Sequence, residues 1–266
     1  MEIRNKVFVV TGAGSGMGRE ITKLLVSKGA KVAMVDINTK GMEETAEISG
    51  RDKTSIHTLN IANREEVEKL PEQIIGELGD VDGIINNAGI IQPFIDVNDL
   101  EYEVIDRIMN INFYGTLFMT KTFLPHLLKR PEASICNISS MGGFIPFPGQ
   151  TFYGASKAAV KLLTEGLYAE LKETNVHCTV IHPGAINTNI MANSGVHLDV
   201  SKAEQKGQEN MTLPADKAAE VIVQAIVENK FRATVGKDAR FLDIFYRFNP
   251  RKAVNFILKK MGSMKR

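Results

Sequence analysis

Along this chain, short runs made almost wholly of apolar residues alternate with longer stretches in which apolar residues return every three or four positions. The first run, Val7–Val10, ends in Thr11-Gly12-Ala13-Gly14-Ser15-Gly16-Met17-Gly18, after which Ile21, Leu24 and Leu25 recur at helical spacing. That order reads as strand, glycine turn and helix. The same reading places strands at Lys31–Val35, Ser55–Leu59, Gly83–Ile85, Ala133–Ile138, Val176–Ile181 and Arg232–Val235. It places helices at Arg64–Leu78, bent or interrupted at Pro71, at Glu101–Leu128 with Pro125 near its end, at Phe152–Glu173 and at Ala215–Glu228. Regular alternation of this kind predicts an α/β fold, a doubly wound parallel sheet with helices on both faces. No repeat, low-complexity stretch or linker divides the chain. One domain is expected, with residues 1–236 as its body and 237–266 as a C-terminal extension of it.

Sheets of this kind bind ligands outside the carboxyl ends of their strands. The residues richest in chemistry fall there. Gly12, Gly16 and Gly18 form Gly-x-x-x-Gly-x-Gly, which matches neither the six-residue dinucleotide fingerprint nor the phosphate loop. The physics survives the change of spacing: glycines allow a tight turn and close backbone approach, and the following helix N-terminus favours a pyrophosphate. Ser15 and Met17 belong to the same candidate cofactor turn. Asp36 ends the second strand, where a carboxylate accepts hydrogen bonds from both hydroxyls of an adenosine ribose and repels a 2′-phosphate. No Arg or Lys stands at Ser15 or Ile37 to hold such a phosphate, which favours NAD over NADP. Asn60 and Ile61 follow the third strand and are placed to frame the adenine. Asn87, Ala88 and Gly89 end the fourth strand, as a cofactor contact or as a tight turn only. Asn112 falls inside a long helical pattern, where asparagine is a poor choice; a local structural role, a solvent relay and an ordinary exposed position all stay open.

Tyr153 and Lys157 stand four residues apart, on one helix face. A free phenol ionises near pH ~10, and a nearby ammonium lowers that value toward usable general acid–base chemistry. Ser140 precedes the pair at an apolar strand end, where its hydroxyl can bind a carbonyl oxygen. An ordinary exposed Tyr–Lys pair is the competing reading.

Composition narrows the field. Among 266 residues, 44% are hydrophobic and 24% charged, as in soluble globular proteins. A net charge of +1 gives no general pull toward nucleic acid. Cys136 and Cys178 each lie in apolar runs and read as core thiols, which suits a reducing, cytoplasmic setting. The histidines lack metal-ligand spacing, so no metal is expected. No apolar run reaches membrane-span length, and Met1–Lys6 leads straight into the first strand, which leaves no room for a signal peptide.

Taken together, Thr11–Gly18, Asn86–Gly89, Asn112, Ser140, Tyr153-Gly154-Ala155-Ser156-Lys157 and Pro183-Gly184-Ala185-Ile186-Asn187-Thr188 resemble, in order and spacing, the short-chain dehydrogenases/reductases. The likeness is strong over roughly residues 5–190 and implies a single-domain, Rossmann-type NAD(P)-binding fold. It implies hydride transfer between a nicotinamide ring and a secondary alcohol or its ketone. By that resemblance Tyr153 is the general acid/base, and Lys157 lowers its pKa and holds the nicotinamide ribose. Ser140, rather than Ser139, orients the substrate oxygen. Asn112 holds a water linking Lys157 to solvent, and Thr188 with the backbone of Ile186 holds the carboxamide after Pro183 and Gly184. Asn60 departs from the aspartate of many relatives. A homodimer or homotetramer, joined through the helices at Glu101–Leu128 and Phe152–Glu173, is the expected assembly. The alternatives are an NADP-dependent carbonyl reductase of the same fold and a non-catalytic dinucleotide-binding protein.

Two segments are expected to line the substrate pocket: the apolar Met141–Pro148, which favours a hydrophobic substrate, and the polar Asn189–Thr212, read as a lid. From Lys237 onward nine Lys/Arg face two Asp/Glu. There Phe241, Leu242, Phe245 and Phe248, then Val254, Ile257, Leu258 and Met261, recur at helical spacing. Such a basic amphipathic tail packs on its own domain, covering the substrate entrance, or makes weak contact with a membrane surface.

Overall fold

The apolar runs pair side by side. β1 (Val7–Thr11), β2 (Lys31–Asp36), β3 (Thr54–Thr58), β4 (Gly83–Asn86), β5 (Ala133–Ile138) and β6 (Val176–Pro183) join a later strand in one sheet. The computed structural model describes residues 1–196 and 212–262. Short β7 (Ile186–Asn187) and β8 (Leu213–Pro214) pair only with each other, and β9 (Arg232–Val235) completes the main sheet. Its order is β3-β2-β1-β4-β5-β6-β9, and every neighbouring pair is parallel. β1 and β5 are buried along their whole length, as parallel strands covered on both faces must be. The order reverses between β1 and β4, and this opens a crevice at their carboxyl ends.

Two apolar layers enclose the sheet. One gathers Phe8, Ile21, Leu25, Met34, Ile222 and Ile226 under α1 (Gly16–Ser27), α2 (Thr39–Ser49) and a later helix. The other gathers Val9, Leu70, Ile74, Ile84, Phe123 and Ile135 on the opposite face. α2 leaves no clear repeat in the sequence; Asn38 starts it by accepting a hydrogen bond from Gly41 N at 3.0 Å.

The helix expected over Arg64–Leu78, bent or interrupted at Pro71, is interrupted: it forms α3 (Arg64–Val67) and α4 (Leu70–Leu78). Proline at 71 lacks an N–H, and inside a continuous helix its ring would meet the carbonyl of Val67. The helix restarts instead, with Pro71 in its first turn. The long pattern over Glu101–Leu128 is α5 (Tyr102–Met109), a π-helical turn at Asn110–Gly115, and α6 (Thr116–Leu127). α7 (Thr151–Glu170), α8 (Ile190–Asn193) and α9 (Ala215–Val227) follow, and the tail forms α10 (Lys237–Phe248) and α11 (Pro250–Gly262).

The tail packs on its own domain. Leu242, Ala253 and Ile257 are buried with Ile145, and Met141, Phe144 and Phe147 lie against them. The segment expected to wall the substrate pocket thus has the tail behind it. Of the segment read as a lid, residues 197–211 lie outside the described residues.

Candidate active site

At the crevice, the glycine turn is fixed by close backbone approach. Gly12 and Gly16 hold φ of 70° and 51°, in the left-handed region that other residues resist. A side chain at Gly18 would run into the carbonyl of Gly12, so the helix can sit this close to the strand only with glycine there. Thr11 Oγ1 accepts from the amides of Asn87 and Ala88, both at 3.0 Å, and Asn87 Nδ2 donates to Thr11 O at 3.0 Å. The turns after β1 and β4 therefore form one locked unit. Asp36 joins it: Oδ2 accepts from Gly14 N at 2.9 Å and Oδ1 from Asn38 N at 3.0 Å.

These turns line a cleft of about 370 Å³, together with Ser15, Gly16, Met17, Asp36, Asn60, Ile61, Asn87, Ala88, Gly89 and Thr188. Asn60 Oδ1 accepts from Ala62 N at 3.0 Å, which commits one of its lone pairs to the turn. Gly18, Pro183, Gly184 and Ile186 are not among the residues that line the cleft. Arg107 and Ile111 also line the cleft. Sequence reading missed both, because the helical pattern around them names a face but no partner.

The second cluster lies beside Gly89. Ser140 follows β5, and its Oγ accepts from Gly142 N at 3.0 Å. A methyl group on Gly142 would touch both Ser140 Oγ and the Tyr153 ring at 3.5 Å, so the three share one small space. Ser139, the rival serine, spends its hydroxyl on Lys157 O at 2.7 Å and serves as a tether for α7. Lys157 is buried and donates from Nζ to Ile138 O at 3.0 Å. A side chain on Gly89 would meet Lys157 Nζ and Asn112 Oδ1, at 3.0 and 3.1 Å, so these groups converge on Gly89.

The electrostatics differ from the simple expectation. Burial pushes the Tyr153 phenol above its ordinary value, and the Ser140 hydroxyl works against that. Lys157 was expected to lower the phenol; instead its own ammonium is pulled down to about 8 by burial. Its Nζ donates to a strand carbonyl, Ile138 O.

Asn112 occupies the π-helical turn and is fully buried. Its Oδ1 accepts from Ile90 N at 2.8 Å, while Nδ2 donates to Ile90 O at 2.9 Å and to Ser156 Oγ at 3.0 Å. It clamps the loop after Gly89 to α7.

With this geometry, the comparisons decide the family. A family model described as short chain dehydrogenase matches residues 6–198. The chain is a short-chain dehydrogenase/reductase.

SadH of Mycobacterium tuberculosis is 34% identical over 255 residues, covering 91% of this chain and 90% of that protein. Dehydrogenase/reductase SDR family member 7B of Mus musculus is 37% identical over 198 residues, covering 72% of this chain and 61% of the mouse protein. Among solved structures, a short chain dehydrogenase/reductase from Burkholderia phymatum in complex with NAD superposes with a TM-score of 0.80 at 25% identity, covering 88% and 90% of the two chains. A short chain dehydrogenase from Burkholderia cenocepacia in complex with NADP has the same fold, with a TM-score of 0.80 at 24% identity over 97% and 99% of the chains. As a member of this family, the chain is an NAD(P)-dependent oxidoreductase acting on CH–OH groups.

Further residues of this short-chain dehydrogenase/reductase escaped sequence reading. His182, at the end of β6, is fully buried with Nδ1 3.1 Å from Ser140 O, and its ring meets Phe144 edge-on. Burial pulls its pKa down to about 4, so the imidazole is neutral and in the tautomer that donates to Ser140. Asp238, in the first turn of α10, accepts from Ala185 N at 2.8 Å and packs against Gly184. An acidic residue following Gly236 at a helix start was the available signal. Gln92, fully buried in the loop after Gly89, is bonded to the start of α7. An isolated amide among Ile90, Ile91 and Pro93 was its only mark in the sequence. Among the described residues no group of His, Cys, Asp and Glu is arranged to hold a metal.

Proposed function

We propose that this enzyme moves a hydride between NAD, in preference to NADP, and a secondary alcohol or its ketone, on an apolar substrate. The meeting of Ser140 and Tyr153 at Gly142 and of Lys157 and Asn112 at Gly89, beside the cleft that Asp36 lines, carries the reading. The nicotinamide ring supplies the hydride chemistry when bound. Ser140 holds the substrate oxygen next to the phenol. Burial favours the neutral phenol, so Tyr153 must first lose its proton; in that form it takes the hydroxyl proton in oxidation as hydride leaves the carbon, and in reduction the phenol returns it. Lys157 holds the ribose near Gly89, and the neighbouring Asn112 links it toward solvent. Asp36 favours an unphosphorylated ribose by charge. The apolar Met141–Pro148 wall, backed by the tail, supports a hydrophobic substrate. Purified protein with NAD or NADP and a panel of secondary alcohols, including steroids and long-chain hydroxy compounds, tests this. No turnover, or preference for NADP, sinks the corresponding half.

The same reading includes a homo-oligomer, joined through the exposed apolar positions Tyr102, Tyr114, Leu128 and Leu162 of α5 to α7 and their connections. It also includes an anionic lipid surface as a partner of α10. Phe241, Ile244 and Phe248 recur along one exposed stripe flanked by Arg240 and Arg247, and an anionic membrane complements that basic border. Co-sedimentation with phosphatidylserine vesicles but not phosphatidylcholine vesicles, abolished by F241E with F248E, is expected. Binding unchanged by those substitutions sinks the lipid contact.

A further inference from the structure

The start of α7 poses a bonding problem. The first amides of a helix have no partner inside it, and a buried unpaired amide costs about 1–3 kcal/mol. Serine, threonine, aspartate or asparagine at the N-cap usually meets this need. Here the N-cap is Gln150, whose side chain makes no capping bond. Its Nε2 instead donates to Gln92 O at 2.7 Å.

The cap comes from the loop. Gln92 Oε1 accepts from Phe152 N at 2.9 Å and from Tyr153 N at 3.0 Å. Gln92 Nε2 donates to Gly149 O at 2.9 Å and to Ile95 O at 3.3 Å. This side chain is wholly buried and every polar atom on it is bonded. Asparagine, one methylene shorter, cannot span from the loop to both amides and the Gly149 carbonyl. The residue gripped at the end of this span is Tyr153 itself, held by its backbone. The residue that grips lies three positions after Gly89, in the stretch that Asn112 clamps at Ile90. A shift of the α7 start against this loop changes the separation of the phenol from the Gly89 corner where Lys157 and Asn112 converge.

We infer that Gln92 is a positioning residue for proton transfer: its amide fixes the Tyr153 backbone to the cofactor-side loop. The inference rests on the hydride-transfer reading above. Displacement by about 1 Å of a reacting group costs roughly 10²-fold in rate. Loss of this tether is therefore expected to lower kcat by roughly tenfold to a hundredfold while leaving nucleotide binding alone.

Q92L and Q92E test it. Leucine removes the cap. Glutamate keeps the acceptor, which a helix N-terminus favours, and loses the donors to Gly149 and Ile95. Amide hydrogen exchange at Phe152 and Tyr153 is expected to speed up in Q92L and to stay slow in Q92E. Turnover of the best alcohol in the panel, counted per NADH-binding site by fluorescence titration, is expected to fall in Q92L with unchanged NADH affinity, and to recover largely in Q92E. A role in stability alone lowers the number of binding sites but not kcat per site. Normal kcat per site in Q92L overturns the inference, and so do equal losses in Q92L and Q92E. If Q92L does not fold, fast exchange at Tyr153 in Q92E overturns it alone. No turnover by the unaltered chain sinks the proposed function and this role with it; turnover that Q92L leaves intact sinks this role only.

Discussion

The cofactor cleft and the proton-transfer cluster share a border at Gly89 but are built in different ways. The cleft is marked by local residue patterns, although bonds from Thr11 to the turn at Asn87 tie distant parts of it together. Its glycine turn sits between β1 and α1, its carboxylate ends the next strand, and that carboxylate locks the parts by accepting from Gly14 N. The cluster is a long-range construction. Tyr153 is held by Gln92, Ile90 by Asn112, the Ser140 carbonyl by His182, and the Pro183–Ala185 corner by Asp238 of the tail. A local site needs particular residue types at fixed spacing. A long-range site needs residues whose partners only the fold reveals.

The sharpest test of this contrast is Tyr153→Phe. It removes the phenol and leaves the cleft untouched, so turnover is expected to fall by about 10²- to 10⁴-fold with NADH affinity unchanged in titration. Retained turnover breaks the division into a binding half and a proton half.

His182 gives the next effect, seen in stability. An unfolded imidazole takes its proton near 6.5, the buried one only near about 4. Between those values the unfolded chain binds more protons, so this contribution is fully present above 6.5 and is lost as pH falls toward 4. The loss is about 3 kcal/mol at most. Urea unfolding at several pH values should show this slope, and His182→Asn should flatten it.

Asp36→Asn probes the cleft alone. Loss of the carboxylate is expected to move the NAD/NADP ratio of kcat/KM toward NADP by about tenfold, with kcat little altered. An unchanged ratio removes Asp36 as the selector.

The smallest effect separates neighbours. Ser139→Ala forfeits the bond to Lys157 O and is expected to cost about 1 kcal/mol of stability with turnover retained. Ser140→Ala should do the reverse. Matching kcat values for the two variants erase the distinction.

This contrast also explains what the sequence disclosed. The parallel α/β sheet and the glycine turn follow from apolar runs and local spacing. Tyr153 and Lys157 stand one helical turn apart, a weak mark alone; the family resemblance, with Asn112 and Ser140 in register, is what singled them out. Ser140 was singled out over Ser139 only by spacing to the tyrosine, while the difference in hydroxyl bonding is tertiary. Gln92, His182 and Asp238 were illegible, since each acts on a backbone atom 42 to 61 positions away. The breaks in two predicted helices have different causes. Proline at 71 announces its own interruption, whereas the π-helical turn at Asn110–Gly115 leaves the hydrophobic repeat nearly intact and shows only as an asparagine in the wrong setting.

That turn holds a lesson for genetics. A π turn contains one residue more than an α-helix needs, and each residue rotates the helix by about 100°. Deleting a single codon within 110–115 would leave a regular, well-formed helix and swing Asn112 away from Ile90. A frame-preserving loss that looks harmless to secondary structure would unpick the clamp, while most point changes on the outer face of α5 would pass unnoticed.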